Sequence, residues 1–148
     1  MNDATFNFWT KWLLIANVMT IIVGLLAAFA GNSIFFEFYN SQTEKVFFDG
    51  QPLTEQTLLL KNWLFGIIGG SIVGFHLLMI AIIKNSFVKR ETWAYNALWI
   101  GLLSWFCIDS GITTYYQAYH NLYLINLVAL FLIALPLVMT RKYFTPQK

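Results

Sequence analysis

Apolar residues fall along the chain in four long runs separated by shorter polar stretches. The runs cover about residues 12–30, 63–83, 93–119 and 122–140. Each is close to the roughly 20 residues that an α-helix needs to cross a bilayer, and about twice the length of a barrel strand. A spanning segment must satisfy its backbone hydrogen bonds internally. The pattern therefore predicts an all-α integral membrane protein, a four-transmembrane-helix bundle forming one domain over residues 1–148.

The polar stretch between the first two spans, about residues 31–62, is much longer than the usual connection of about 4–6 residues. Within it, Lys45-Val46-Phe47-Phe48 has the composition of a strand and Asp49-Gly50 that of a type I′ turn. Pro52 or Thr54 is suited to open a helix that continues into the second span. We expect a structured outer loop that lies on the membrane surface or caps the bundle.

The positions of Lys and Arg predict the orientation, because basic residues in short flanking segments stay on the cytoplasmic side. The segment between the second and third spans and the C-terminal tail are basic: Lys84, Lys89, Arg90, Arg141, Lys142 and Lys148. The long loop is mostly acidic: Glu37, Glu44, Asp49 and Glu55 against Lys45 and Lys61. We therefore expect a multi-pass protein of the cell (inner) membrane with both termini cytoplasmic.

A competing interpretation of the first span is a cleaved signal peptide. Lys11, a long apolar stretch and Ala28-Phe29-Ala30 imitate its basic, apolar and small-residue regions. The apolar run exceeds the usual 7–15 residues, and Asp3 interrupts a basic start. An uncleaved span is the favoured interpretation.

Composition excludes several classes of function. The chain is 58% hydrophobic and 11% charged, whereas about a quarter of the residues of a soluble domain are charged. A net charge of +2 gives no basis for nucleic-acid binding. The four apolar runs make the lipid bilayer the expected environment. A single cysteine, Cys107, excludes internal disulfides and zinc sites built on paired cysteines. No hydrolase, zinc-protease or nucleotide-loop motif occurs, so no catalytic residue, metal or cofactor is assigned.

Small residues on two spans predict how the helices pack. Gly66, Gly70 and Gly74 follow one another at four-residue spacing in the second span, which places them on one stripe. The first span carries a matching strip that includes Gly24 and Ala28. We expect the second span to dock on the first through these faces, while the same glycine stripe is equally suited to a homodimer.

Asp109 is the acidic residue that lies within a span, where facing lipid would cost about 2.5–3.5 kcal/mol. At 100° per residue Trp105, Asp109, Thr113, Tyr116 and His120 share one stripe of the third span. Asn126 of the fourth span is a further candidate partner. One hypothesis is an outward-facing polar cavity in which Asp109 accepts a proton, a cation or a ligand amine. The other is a hydrogen-bonded Asp109 that joins helices.

Three further polar residues lie in the opposite, inner halves of the spans. His76 of the second span is placed to face Asn17 and Asn96, which belong to the first and third spans. A histidine satisfied by hydrogen bonds is favoured over a proton relay.

The packing signals are stronger than the signals for chemistry. The leading hypothesis is a non-enzymatic bundle that forms oligomers or assembles with a larger membrane partner. The alternative is a small proton- or cation-coupled transporter, or a ligand-binding protein, that uses Asp109 with a ligand the sequence does not identify. A third hypothesis, an enzyme acting on lipid or quinone, rests on aromatic residues near the outer half of the third span.

Overall fold

The computed structural model describes residues 3–144, and this part of the chain is all-helical. Within it, four helices are long and apolar enough to cross a membrane: Asp3–Ala30, Glu55–Lys89, Thr92–Tyr115 and Tyr119–Tyr143. The prediction of an all-α chain with four such helices is confirmed. The first helix extends past its predicted apolar run at the N-terminal end and the second at both ends, because more polar turns continue them.

The elements follow in the order α1 (Asp3–Ala30), α2 (Glu37–Phe47), α3 (Glu55–Asn85) and α4 (Thr92–Tyr115). The last spanning helix is composed of α5 (Tyr119–Asn121), a π-helical segment (Leu122–Asn126) and α6 (Leu127–Thr140). Short 3₁₀ turns lie at Ile34–Phe36, Phe87–Lys89 and Arg141–Tyr143.

The two ends of the bundle carry different charges. We call the end that holds the α3–α4 connection and the start of α1 the basic end. Its basic residues are Lys11, Lys84, Lys89, Arg90, Arg141 and Lys142. We call the opposite end, which holds α2, the acidic end. Its acidic residues are Glu37, Glu44, Asp49 and Glu55.

The helices pack in the order α3, α1, α6 and α4. The most extensive contact joins α1 and α3, followed by α1 with α6, whereas α3 and α4 touch at few positions. The apolar core occupies the basic half and includes Leu13, Ile83, Phe87, Leu98 and Leu137, all fully buried. In a bilayer, where lipid removes most of the hydrophobic driving force between helices, close van der Waals contact would stabilise this core.

Lys45, Val46 and Phe47 form the last turn of α2 and Phe48 is its C-cap, so the prediction of a strand there is wrong. A lone strand would leave its backbone groups unpaired, whereas α2 pairs them internally. Asp49 and Gly50, which the sequence predicts as a type I′ turn, have the positive φ angles that such a turn requires, 52° and 74°. Here these two residues end a helix instead of joining two strands.

The predicted helix start after the loop is confirmed. Thr54 is the N-cap of α3, and its Oγ1 accepts a hydrogen bond from the backbone N–H of Thr57 at 3.3 Å. The capped helix then runs into the second span without a break.

Helix α4 ends at Tyr115, short of the predicted end near residue 119. The backbone N–H of Ala118 donates to the Thr113 carbonyl at 3.0 Å, and that of Gln117 donates to the Thr114 carbonyl at 3.1 Å. Gln117 has φ of 57°. This is the Schellman arrangement that terminates a helix, formed here with glutamine where glycine is usual.

Pro136 leaves one carbonyl of the fourth span without its helical partner. A proline has no N–H to donate, so the Leu132 carbonyl four residues earlier loses its intrahelical hydrogen bond. The indole Nε1–H of Trp12 on α1 donates to that carbonyl at 3.0 Å. This contact ties α1 to α6 at the position where α6 is interrupted.

Trp12→Phe is therefore expected to lower the free energy of unfolding by about 1–2 kcal/mol, because it leaves the Leu132 carbonyl unsatisfied. The loss should shrink in a Pro136→Ala background, where residue 136 regains an N–H. Reversible unfolding in mixed micelles measures both values. Trp9→Phe serves as the control, since Trp9 packs on Trp12. Equal losses in both backgrounds would contradict a role for the hydrogen bond.

Candidate functional site

Asp109 lies half-buried on α4, in the acidic half of the bundle. Its Oδ1 accepts three hydrogen bonds, from Asn126 Nδ2 at 2.7 Å, Asn121 Nδ2 at 3.0 Å and Thr113 Oγ1 at 3.2 Å. Two of these donors belong to the fourth span, so the carboxylate joins α4 to that span. Hydrogen bonds to an ionised oxygen are roughly twice as strong as neutral ones.

The π-helical segment aligns the two asparagines. The hydrogen bonds of a π-helix join residues five apart, which brings such residues nearer to one face than in an α-helix, and Asn121 and Asn126 are five apart. Their side chains are 3.4 Å apart, from Asn121 Nδ2 to Asn126 Oδ1. Asn126 is fully buried, and its Nδ2 also donates to Ser110 Oγ at 3.1 Å. The local widening of this helix therefore directs two amides at one carboxylate.

Helix α2 covers this polar cluster from the acidic end. The Tyr39 hydroxyl donates to Asn121 Oδ1 at 3.1 Å, and the Tyr39 ring meets the His120 ring edge to face at 4.9 Å. Thr43 Oγ1 lies 3.1 Å from His120 Nε2. Burial, and secondarily the charge of Asp109, raises the pKa of Tyr39 to about 12. Its hydroxyl is therefore a hydrogen-bond donor throughout the physiological pH range.

The structure brings some predicted members of this site together and separates others. Asp109, Thr113 and Asn126 are in direct contact. Trp105 packs against the apolar core, and Tyr116 is exposed beside Phe47. His120 contacts α2, not Asp109. The predicted stripe breaks after Thr113 because α4 ends at Tyr115.

Sequence reasoning missed two members of the cluster, Asn121 and Tyr39. The five-residue spacing from Asn121 to Asn126 corresponds to a π-helix, which ordinary helical periodicity does not include. Tyr39 comes from the long loop, and no periodic signal connects it with α4.

At the basic half, the structure pairs two of the three predicted polar residues. Nδ1 of the buried His76 lies 2.7 Å from Oδ1 of Asn17, and Nδ2 of Asn17 donates to the Leu13 carbonyl at 2.8 Å. Because an amide oxygen only accepts, Nδ1 of His76 carries the proton. Asn96 is exposed on α4 and lies outside this pair, so its predicted place in the cluster is wrong.

The glycine faces differ from the prediction in one respect. The second span does dock on the first, and Gly24 and Ala28 lie at the contact. The contacting glycine of α3 is Gly69, where an added Cβ would lie 2.8 Å from both the backbone N and the Cβ of Ala28. An added Cβ at any of Gly66, Gly70 and Gly74 would meet nothing within 4 Å. The prediction that these three form the docking face is wrong.

Among residues 3–144, no three His, Cys, Asp or Glu side chains form a group that could hold a metal ion. Comparison with protein-family models, with curated protein sequences and with solved structures gives no match to this chain.

Proposed function

We propose that this chain is a non-enzymatic, multi-pass component of the cell (inner) membrane that associates with a second membrane-spanning helix through the face of Gly66, Gly70 and Gly74. The observation that carries the proposal is the open space beside all three glycines. The chain uses Gly69 for its own α1–α3 contact, so the three-glycine face is left for another helix.

A lipid-facing stripe of glycines favours helix association. Glycine lets a neighbouring backbone approach closely, and such approach replaces hydrophobic attraction as the source of stability inside lipid. Two identical chains satisfy this requirement with one self-complementary surface, which is the commonest symmetry of oligomers. We propose a homodimer as the first form to test, with a larger membrane partner as the other.

The orientation proposed with this function places both termini and the basic end in the cytoplasm. It is supported by the excess of Lys and Arg at that end and the acidic residues at the other. The interaction face then lies on α3, open to the lipid.

Gly70→Leu is expected to convert the oligomer to a monomer, because a leucine side chain holds the two backbones apart. The measurement is subunit counting by single-molecule photobleaching of the labelled full chain in native membranes. Gly111→Leu is the matched control, since Gly111 of α4 also faces open space. A wild-type chain that is monomeric and binds no fixed partner, or an oligomer that Gly70→Leu leaves intact, would contradict the proposal.

A second candidate function is uptake of a proton or a monovalent cation at Asp109. It is favoured by one observation: the hydrogen-bond partners of the carboxylate, Thr113, Asn121 and Asn126, are all neutral. An ionised acid in a low-dielectric site needs compensation, which a bound proton or cation supplies. A sodium-dependent unfolding temperature that disappears in Asp109→Asn is the measurement that tests it.

A further inference from the structure

Helix α2 lies over the polar cluster of Asp109 but is weakly packed against the bundle. It has 11 residues, and none of them is buried. Phe38 and Phe47, two of its apolar side chains, are 62% and 48% exposed. Isolated helices shorter than about 12–15 residues are marginal in water. The contacts of α2 with the rest of the chain therefore decide whether it stays in place.

The contacts that hold α2 are polar or aromatic and come from one of its faces. Tyr39 and Thr43, one helical turn apart, meet Asn121 and His120 of the fourth span. The Tyr39 ring also meets the Phe65 ring of α3 edge to face at 6.1 Å. By contrast, α1 and α3 approach so closely that their backbones are in contact. An element with few buried contacts opens locally at a much smaller cost than global unfolding.

The two ends of α2 are joined to the bundle by irregular segments. Residues 31–33 precede its first turns, and residues 48–54, where Gly50 has φ of 74°, separate it from α3. Ser33 Oγ and Asn40 Oδ1 are buried and have no hydrogen-bond partner among the described residues. Buried polar atoms without a partner destabilise the arrangement that buries them, and contact with water satisfies them. This favours an arrangement in which α2 has moved away.

Movement of α2 uncovers the approach to Asp109. The Tyr39 hydroxyl donates to Asn121 Oδ1, and Nδ2 of the same asparagine donates to Asp109 Oδ1 at 3.0 Å. One side chain, that of Asn121, therefore separates the carboxylate from α2. When α2 leaves, this asparagine loses a partner and meets water.

We propose that α2 is a cover that opens locally and admits water and small cations to Asp109, with Tyr39 and Thr43 as the latch that keeps it closed. The proposal deepens the second candidate function, since uptake at Asp109 needs a route from the water. It does not involve the glycine face of α3. Its test needs no bound ion, so a failure of the cover and a failure of cation uptake are separate results.

Chemical modification of Asp109 in the full chain, held in lipid nanodiscs, tests the proposal. A water-soluble carbodiimide with an amine converts a carboxyl group that water reaches into an amide, and peptide mass spectrometry measures the rate at each carboxyl. Glu55, which is exposed at the start of α3, is the internal reference. Relative to Glu55, the rate at Asp109 should rise about fivefold in Thr43→Val and about 20-fold in Tyr39→Phe with Thr43→Val, because each lost hydrogen bond increases the open fraction.

Two controls separate movement of α2 from other causes. Thr43→Val does not touch Asn121 or Asp109, so its effect does not come from a rearranged cluster. Ser41→Ala removes a hydroxyl that bonds to the Phe38 carbonyl within α2 and should leave the rate unchanged. Equal rates at Asp109 and Glu55 in the wild type, or a rate at Asp109 that neither latch variant raises, would overturn the proposal. So would a rise that Ser41→Ala shares, or one accompanied by faster amide hydrogen exchange across α1 and α3, because either reports general loosening of the bundle.

Discussion

Gly69→Ala is expected to lower the free energy of unfolding by about 3 kcal/mol, whereas Gly70→Ala should change it by no more than about 1 kcal/mol. An added Cβ at position 69 would overlap the carbonyl oxygen of Gly24 and lie 2.8 Å from the backbone N of Ala28. A flexible side chain could change its rotamer to avoid this overlap, but the backbone atoms of a packed helix cannot move separately. The methyl group therefore forces α1 and α3 apart along their most extensive contact.

Comparing Gly69→Ala with Gly70→Ala isolates the effect of the close contact between α1 and α3. Both changes remove glycine from the middle of the same helix and gain the same helix propensity, so a difference between them reports packing alone. Reversible unfolding in mixed micelles measures the free energy of unfolding of both variants. The protein concentration is chosen so low that the result no longer depends on it. Association through Gly70 then does not contribute to the difference. Equal effects at positions 69 and 70 would show that α1 and α3 do not pack in this register.

The register of α3 illustrates what sequence patterns do and do not determine. The four-residue spacing of Gly66, Gly70 and Gly74 identifies a stripe but not the neighbour that it faces. A second pattern lies on the true contact face: Gly69, Ile72, His76, Met79 and Ile83 follow at alternating spacings of three and four. Four of these five are buried. That heptad-like series continues along the helix, whereas the glycine stripe covers its middle only.

The candidate site was predictable where local helical geometry determines it. Asp109 and Thr113 are one turn apart in a regular helix, and the sequence predicts Asn126 of the fourth span as a partner across the bundle. Asn121 and Tyr39 depend on features that periodicity does not encode. Gln117 adopts a positive φ that ends α4, and the π-helical segment then sets the direction of the two asparagines. Such backbone irregularities arise from tertiary packing, so single-sequence reasoning does not reach them.

Asn126→Leu is expected to destabilise the bundle by about 3 kcal/mol, because it removes the shortest hydrogen bond to Asp109 and leaves a half-buried carboxylate less well satisfied. Asp109→Leu should cost about 2 kcal/mol, since the amides of Asn121 and Asn126 both lose their hydrogen bond to the carboxylate. The double variant Asp109→Leu with Asn126→Leu should cost much less than the sum, because replacing both partners with apolar groups removes the unpaired atoms. Unfolding measurements of the wild type and the three variants give the coupling energy directly.

The salt in the buffer separates an Asp109 that joins helices from one that binds a cation. If the carboxylate takes up sodium, replacing choline chloride with sodium chloride raises the stability of the wild type and of Asn126→Leu, but not of the variants that lack Asp109. Tyr39→Phe is the control, since it loses its hydrogen bond to Asn121 and keeps the carboxylate. A coupling energy near zero would contradict the contact between Asp109 and Asn126. A large coupling with no response to sodium would leave Asp109 as a contact that holds α4 to the fourth span, since a hydrogen-bonded carboxylate needs no ion to do so.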